Sequence, residues 1–174
     1  MHLAVTDQIR LTEFRRSDID ALLEYLADED IYKCTLRIPR PYTRTDAEQW
    51  FSQLEEEVKQ GNAHIGWAIR QGENLMGGIG LTPAAGQPHR AELGYWLAKP
   101  FWGRGIMSAV VATVCRHAFD TLGLVKITAN VFSFNAPSAR VLKKCGFEQE
   151  GYLRKNVLKD GEFIDSIVFG LLRV

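Results

Sequence analysis

The sequence has no long apolar run, no excess of charge of either sign and few cysteines, and each absence removes a class of protein. Its 174 residues contain 21 lysines and arginines and 21 aspartates and glutamates. Because the charges balance, no overall field draws in nucleic acid or an anionic membrane surface, and we predict neither as a partner. No stretch reaches the roughly 18 apolar residues that span a bilayer.

Cysteine and histidine are too sparse for a metal centre or a disulfide framework. Cys34, Cys115 and Cys145 are odd in number and lack Cys-x-x-Cys spacing, and the four histidines do not pair at helical spacing. We therefore predict no metal. The first residues lack a basic segment followed by an apolar one, so no signal peptide is expected, and a reducing cytoplasm is the predicted location.

Apolar periodicity predicts an α+β (mixed α/β) fold with the element order βααβββαβαββ. The length suits one domain over residues 1–174. Strands are predicted where apolar residues alternate, and helices where they recur at helical spacing. The predicted strands are Ile9–Phe14, Ile65–Arg70, Leu75–Pro83, Ala91–Leu97, Lys126–Phe132, Phe147–Leu158 and Phe163–Leu172, and the predicted helices are Ser17–Leu26, Thr45–Gly61, Ile106–Leu122 and Ala136–Lys144.

Capping and turn residues set the predicted boundaries. Ser17 is expected to cap the first helix, and Thr45 with Glu48 is expected to form a capping box for the second. Residues 28–44 contain two prolines and are expected to be a polar connection. Lys159-Asp-Gly161 predicts a tight hairpin between the last two strands.

The stretch Glu92–Ala109 passes from a strand through a glycine loop into a helix. The first N–H groups of a helix have no partner within it, and the helix dipole makes that end partly positive. Gly103 and Gly105 allow the backbone to approach a phosphate closely, and Arg104 adds a forked cationic donor. The pattern predicts that residues 103–108 hold a phosphate-bearing cofactor.

The alternative for this loop is a glycine-rich connection that binds nothing. The loop lacks the Gly-Lys-Ser/Thr ending of a Walker sequence. No third glycine follows Gly105 at the spacing of a dinucleotide fingerprint. If a cofactor binds, it is therefore of another kind.

The segment Asn135–Phe147 is the second informative stretch. Asn135 is expected to cap a helix that has Pro137 in its first turn and Leu142 on its apolar side. A well-capped amphipathic helix explains all these residues without any ligand, and that alternative stays open at this point.

Both stretches resemble motifs of the GNAT N-acetyltransferases. In the acyl-CoA signature Gln/Arg-x-x-Gly-x-Gly/Ala, Trp102 stands at the first position, Gly105 at the central glycine and Met107 at the last. The Trp-Gly-x-Gly form is similar to the RimJ/RimL-type branch, which acetylates ribosomal-protein N-termini. Asn135–Phe147 resembles the last motif of the family. The resemblance implies a twisted mixed sheet with splayed central strands, helices on both faces, and acetyl-CoA as the acyl donor.

The resemblance also assigns roles to individual residues. Asn135 would bond the pantetheine arm. Ser138 would lie beside the sulfur and protonate the leaving thiolate, because Leu142 stands where many members place a tyrosine. A backbone N–H of the splayed strand would stabilise the oxyanion. The implied cofactor-binding residues are Tyr95, Trp96, Leu97, Trp102, Gly103, Arg104, Gly105, Ile106, Met107, Ser108, Asn135 and Ser138.

Glu92 is the predicted general base, since many GNAT enzymes keep a glutamate on this strand, and it could equally be a solubilising residue of the strand. Glu162, Asp165 and His64 are lesser candidates. Val157 occupies the place at which a glutamate has been considered in the RimL type. We expect direct attack by the amine in a ternary complex, with structural roles for the cysteines.

The acceptor is expected to bind over residues 28–44 and the terminal hairpin. The side chains that could line that site are Tyr32, Arg37, Arg40 and Tyr42, and Trp67 is expected nearby. The leading prediction is acetylation of a protein N-terminus, such as that of a ribosomal protein. The alternatives are a small amine (a polyamine, amino acid or antibiotic) and a non-catalytic acyl-CoA-binding module. Homodimer formation is left open.

Overall fold

The computed structural model describes residues 2–59 and 65–173, apart from the side chain of Val58. In this part of the chain the strands are β1 Leu3–Ala4, β2 Ile9–Thr12, β3 Ile65–Gln71, β4 Asn74–Ala84, β5 Gln87–Leu97, β6 Lys126–Phe132, β7 Glu148–Lys159 and β8 Glu162–Leu172. The α-helices are α1 Ile19–Leu26, α2 Glu29–Cys34, α3 Arg44–Lys59, α4 Ile106–Asp120 and α5 Ala136–Lys144.

The eight strands form one mixed sheet in the order β1-β2-β3-β4-β5-β6-β8-β7. The β5–β6 pair is parallel, whereas β6–β8 and β7–β8 are antiparallel. The predicted α+β fold is therefore confirmed. The predicted final hairpin is also present: Asp160 and Gly161 have φ values of 51° and 81°, as a tight turn between β7 and β8 requires.

Contacts divide the chain into two compact units. The first comprises the described residues of 1–80 and 95–104, and the second those of 81–94 and 105–174. The single domain predicted over residues 1–174 stays a prediction.

The first unit buries one face of each of its helices. α1 contributes its apolar face, α2 adds a single anchor, and α3 contributes Ala47 and Phe51. The buried residues of this cluster are Ile19, Leu22, Leu26, Ile31, Ala47, Phe51, Ala68 and Leu75. Trp50 packs edge-on against Phe14, with ring centroids 4.9 Å apart.

A buried ion pair lies in the first unit. Arg70 is 1% exposed and Asp18 is 5% exposed. The Arg70 guanidinium donates to both oxygens of Asp18, at 2.8 and 2.5 Å, and its Nε donates to Thr12 Oγ1 at 2.7 Å. Burying two charges is tolerated only with such paired geometry, so these contacts hold β2, β3 and the start of α1 together.

The second unit packs α4 on its strands. The fully buried positions of α4 fall at helical spacing and include Val110, Val111, Val114 and Ala118. Ile127 and Ala129 alternate along β6 and are buried on one side of the sheet. The residues between them, Thr128 and Asn130, are half-buried and exposed.

Helix α2 overturns part of the predicted connection at residues 28–44. Asp28 caps this helix by accepting from the backbone N–H of Asp30 at 2.8 Å. Ile31 is the one buried residue of this helix. Six residues with one apolar anchor are too short to show a period, so the sequence pattern did not reveal the helix.

Two predicted caps were wrong by one or two residues. A short 3-10 helix, Arg16–Asp18, precedes α1, and the Arg15 N–H donates to the Asp18 carboxylate at 2.8 Å across it. Asp18 rather than Ser17 is the N-cap residue of α1, and it makes no side-chain capping bond there. The capping box of α3 pairs Thr43 with Asp46. Several Ser, Thr and Asp residues lie near the start of each helix, and the local sequence does not show which of them is the N-cap.

Residues 84–90, which separate two of the predicted strands and were expected to form a loop, are also largely strand. β4 continues to Ala84 and β5 begins at Gln87, which leaves a two-residue turn containing Gly86 in the left-handed region. The exposed polar residues of Gln87–Arg90 explain the error, because a strand end that faces solvent on both sides lacks alternation. Gly61 and His64 lie outside the described residues.

Candidate active site

A side-chain hydrogen bond from Trp102 marks the end of β5 in the first unit. Trp102 Nε1 donates to the carbonyl oxygen of Leu97 at 2.6 Å, and the Ala98 N–H donates to the Met76 carbonyl at 2.8 Å. A short 3-10 helix, Lys99–Phe101, lies between the two partners of the indole bond. Trp102 therefore directs the chain from the strand into Gly103, which gives a physical reason for tryptophan at this position of the signature.

Trp96 is half-buried, and its side chain is committed to the core of the first unit. A Cβ on Gly77 would collide with the Trp96 carbonyl, and a Cβ on Gly78 would lie 2.8 Å from the indole nitrogen. The two glycines of β4 therefore make room for this residue. For Tyr95, Trp96 and Leu97, ligand binding through backbone groups fits these constraints better than binding through the indole.

Gly103 and Arg104 complete the first unit's part of the signature. Gly103 has φ of 73°, and no atom lies within 4 Å of the Cβ that another residue would place there. Arg104 is exposed, and its guanidinium carbon lies 5.9 Å from the centroid of the Phe101 ring. A stacked guanidinium keeps its N–H donors at the surface.

Helix α4 of the second unit begins with an open first turn. Gly105 is its N-cap, with φ 73° and ψ 0°. The Ala109 N–H makes the bond to the Gly105 carbonyl, at 3.2 Å. The N–H groups of Ile106, Met107 and Ser108 come before it and have no carbonyl within the helix to bond. The first turn contains no acidic residue.

This turn fits a diphosphate. No atom lies within 4 Å of a Cβ built on Gly105, so the approach to the N–H groups is open. Met107 is 7% exposed, which shows that its side chain is packed in the interior of the second unit. The larger side chain of Met107, at the Gly/Ala position of the signature, therefore packs in the core of the second unit and does not occupy the space in front of the helix.

The N-terminus of α5 carries Asn135 and Ser138. The Asn135 Oδ1 accepts from the Ser138 N–H at 3.2 Å, as the sequence predicts for a capping asparagine. The Asn135 Nδ2 is the remaining donor of that side chain. Both residues are half-buried, whereas Leu142 is 0% exposed. Position 142 therefore points into the core in this chain, and Ser138 is the hydroxyl placed at the start of α5.

Glu92 lies on β5 in the second unit, where the strand begins to leave its neighbour. Arg90, Ala91 and Glu92 pair in parallel with Lys126, Ile127 and Thr128. Within the described residues, this register ends at Glu92, whereas β6 pairs with β8 as far as Phe132. Glu92 is exposed. Its carboxylate therefore stands at the last paired position of β5.

Cys115 and Cys145 have the surroundings of structural residues, whereas Cys34 is exposed. Burial raises the pKa of Cys115 to about 12, and burial raises the pKa of Cys145 as well. Cys145 Sγ donates to the Ser108 carbonyl at 3.3 Å. Thiols with a raised pKa are poor nucleophiles at neutral pH, which supports direct attack by the amine.

A polar cluster in the hairpin was not foreseen. Asp165 accepts from the Tyr152 hydroxyl and from the Lys155 N–H, both at 2.7 Å. The backbone bond from Lys155 is the main cause that lowers the pKa of Asp165, and the bond to Asp165 raises the pKa of Tyr152. Asp165, a lesser candidate for the base, thus organises the bulge in β7. Tyr152 and Asp165 lie 13 residues apart in the sequence, so no local sequence pattern predicts their hydrogen bond.

The predicted acceptor-lining residues share no single environment. The Arg40 guanidinium carbon lies 5.3 Å from the centroid of the Tyr32 ring. Arg37 is exposed, and Tyr42 packs against the core of the first unit. Trp67, which the sequence analysis places near this site, is 4% exposed and presents almost no surface to a ligand.

Comparison with known proteins settles the family. Residues 8–148 match the model of the acetyltransferase (GNAT) domain, so the chain belongs to the GNAT acetyltransferase family. It is 31% identical to the uncharacterized N-acetyltransferase YoaA of Bacillus subtilis over 172 residues, which covers 97% of this chain and 95% of that protein.

Two further relatives come from Escherichia coli. Identity to the [ribosomal protein uS5]-alanine N-acetyltransferase is 31%, over 68% of this chain and 62% of that protein. Identity to the L-amino acid N-acetyltransferase AaaT is 29%, over 91% of this chain and 93% of that protein. The structure of Mycobacterium smegmatis RimJ in complex with CoA-disulfide superposes with a TM-score of 0.84 at 25% identity, covering 94% and 81% of the two chains.

The protein is thus an acetyl-CoA-dependent N-acetyltransferase with an amine acceptor. Its resemblance to the RimJ/RimL-type branch is confirmed by these neighbours. No helix among the described residues is long and apolar enough to cross a membrane. Within the same residues, no group of three or more His, Cys, Asp and Glu side chains could hold a metal ion.

Proposed function

We propose that the protein acetylates the α-amino group of a protein N-terminus, with ribosomal proteins as the leading acceptors. Relatives named for the uS5 alanine and for L-amino acids share one acceptor chemistry, an amine on the carbon next to a carbonyl. An α-amino group has a pKa near 8 and loses its proton more readily than a lysine near 10.4. Glu92 on its exposed strand is therefore an adequate base.

The open first turn of α4 carries the cofactor assignment. We assign the diphosphate to the N–H groups of Ile106, Met107 and Ser108, reached through the left-handed Gly105. Trp102, Gly103 and Arg104 precede that turn and shape the loop. The Asn135 Nδ2 is assigned to the pantetheine arm.

Three groups of this chain then carry the transfer. Acetyl-CoA, when bound, supplies an activated thioester. Glu92 takes a proton from the acceptor ammonium, directly or through water, and the nitrogen lone pair forms the new C–N bond. A backbone N–H of Tyr95–Leu97 donates to the carbonyl oxygen as charge builds on it. The C–S bond breaks, the nitrogen loses its second proton to solvent, and Ser138 protonates the thiolate.

A free L-amino acid is the second candidate acceptor, because the relative named for that activity covers nearly the whole chain. Ribosomal-protein N-termini are made in the cytoplasm, and the proposal places the enzyme there. Homodimer formation, which the sequence leaves open, is tested by light scattering of the purified protein.

An acceptor panel tests the proposed function. Thiol release from acetyl-CoA is measured with peptides that begin with alanine or serine, with the free amino acids, and with spermidine. The expected result is the highest kcat/KM for the peptides. Turnover of spermidine alone would contradict the proposal.

Ser138→Ala should lower kcat by about 10- to 100-fold and leave the Kd for coenzyme A within about twofold. The Ser138 N–H that binds Asn135 is retained in alanine, so the cap of α5 survives. Steady-state kinetics and calorimetry give the two quantities. Ser52→Ala, in α3, is the matched control because its hydroxyl bonds the Glu48 carbonyl. Unchanged kcat would return Ser138 to a purely structural role.

A further inference from the structure

The turn between β6 and α5 in the second unit leads directly into the start of α5. The Asn135 N–H donates to the Phe132 carbonyl at 2.8 Å, which closes a turn over residues 132–135. Asn135 Oδ1 then accepts from the Ser138 N–H at 3.2 Å. Because each of these bonds spans three residues, the placement of the turn sets the placement of the Ser138 hydroxyl.

The terminal hairpin holds this turn in place through Ser133. The Ser133 N–H donates to the Asp165 carbonyl at 2.9 Å, just beyond the last paired position of β6, where Phe132 lies opposite Ser166. The Ser133 hydroxyl is hydrogen-bonded to the phenol of Tyr152. Ser133 is therefore bound to β8 through its backbone and to β7 through its side chain.

Tyr152 and Asp165 form the centre of this network. The Tyr152 hydroxyl donates to Asp165 Oδ2 at 2.7 Å, and Asp165 Oδ1 accepts from the Lys155 N–H at 2.7 Å. These bonds lie where the register between β7 and β8 shifts, between Leu153 and Val157. Asp165 therefore connects the bulged part of β7 to the turn that begins at Ser133.

The protonation states of the two side chains favour this arrangement at neutral pH. The bond from the Lys155 N–H is the main cause that lowers the pKa of Asp165, so its carboxylate remains an acceptor of both bonds. The bond to Asp165 raises the pKa of Tyr152, and the bond to Ser133 lowers that pKa to a smaller extent, so the phenol keeps the proton that it donates. Hydrogen bonds to an ionised acceptor are stronger than those between neutral groups.

We propose that Tyr152 and Asp165 are positioning residues for the transfer reaction and hold the β6–α5 turn so that Ser138 meets the departing thiolate. Neither side chain touches the reacting atoms, and both act through Ser133 and the turn. The inference rests on the proposed function in one respect, the role of Ser138 as the acid. It gives the carboxylate of Asp165 a role other than that of the general base.

Tyr152→Phe removes the phenolic hydroxyl and keeps the ring. Losing the bond to Ser133 should lower kcat about three- to tenfold, measured with the acceptor of the panel that is turned over best. The Kd for coenzyme A should stay within about twofold, because the diphosphate is assigned to α4. In the Ser138→Ala background the same substitution should lower kcat by less than about 1.5-fold, since effects that pass through one group are not additive.

Lys126→Met is the matched control for these measurements. Lys126 also links β6 to β7, because both carboxylate oxygens of Glu150 lie 2.7 Å from its Nζ. It stands at the opposite end of β6 from Phe132, about 20 Å away along the strand. Losing this link should leave kcat within about twofold of the wild type. Circular dichroism and thermal unfolding verify the fold of each variant.

Asp165→Asn separates positioning from base catalysis. It should lower kcat by about the same three- to tenfold as Tyr152→Phe, and the double variant should lose little more, because both substitutions break one link. A loss of about 100-fold or more in Asp165→Asn, with kcat close to the wild type in Tyr152→Phe, would make Asp165 the general base and overturn the inference.

Amide hydrogen exchange of the CoA-loaded protein, followed by NMR, tests the network without an acceptor. Tyr152→Phe should speed the exchange of the Ser138 N–H by at least about threefold, and Lys126→Met should leave it within about 1.5-fold. Equal exchange in Tyr152→Phe and the wild type, or equal losses of kcat with and without Ser138→Ala, would refute the inference. Unchanged kcat in Ser138→Ala would instead refute the proposed acid, and the exchange data distinguish that failure from a failure of the network.

Discussion

Gly105→Glu should weaken the binding of coenzyme A by at least about 100-fold, since a carboxylate about 4 Å from a phosphate costs roughly 4 kcal/mol at a protein surface. Gly105 is the N-cap of α4, and its substituent would enter the space in front of the unbonded N–H groups. Calorimetric titration with coenzyme A measures the loss. Wild-type affinity in this variant would disprove the assignment of the loop.

The chain provides a close control for that experiment. Gly123, just beyond the C-terminus of α4, has φ of 69° and likewise no atom within 4 Å of its Cβ position. Gly123→Glu therefore carries a similar backbone penalty, about 1–2 kcal/mol for a left-handed residue with a side chain. Its affinity for coenzyme A should equal that of the wild type, which separates the effect of charge at the site from a general loss of stability.

Arg70→Met should lower the free energy of unfolding by about 3–5 kcal/mol, the usual cost of leaving one member of a buried ion pair without its partner. Asp18 is 5% exposed and would keep its charge away from water. Urea unfolding followed by tryptophan fluorescence measures the change. Adding Asp18→Asn to Arg70→Met should recover part of the loss, because the stranded charge is then removed.

Arg15→Met is the control for this second experiment. Arg15 pairs with Glu73 at 2.6 Å, but the side chains are 46% and 70% exposed. Exposed pairs contribute little to stability because water screens them, so the variant should unfold close to the wild type. Similar losses from Arg15→Met and Arg70→Met would show that burial of the Arg70 pair does not control its energetic contribution.

The elements that carry the cofactor assignment were readable from the sequence because their signals are local. The glycines before α4, the capping Asn135 and the Asp160-Gly161 turn each act within a few residues of their own position. The left-handed φ values at Gly103 and Gly105 are ones that glycine adopts at little steric cost. The order of strand, loop and helix could therefore be predicted without any tertiary information.

Short elements and choices between similar caps escaped the sequence analysis. Helix α2 has one apolar anchor, Ile31, and too few residues for a period. Thr43 and Thr45 are equally good capping residues by type, and the structure pairs Thr43 with Asp46. Such choices depend on how the chain enters the helix, which packing of the rest of the first unit decides.

Contacts between residues that are distant in sequence were decided only by tertiary structure. In the sequence Arg70 is an ordinary strand residue. Only the folded chain brings Asp18, 52 positions away in sequence, beside it. Trp102 reads as part of a loop until its indole meets Leu97. The inward packing of Met107 and the bond from Tyr152 to Asp165 belong to the same class. Residue type and spacing determined the cap of α5, the hairpin turn and the glycine loop before α4, because these depend on neighbouring φ, ψ angles and backbone donors. Burial and partner choice depend on which surfaces the folded chain brings together, and no local pattern contains that information.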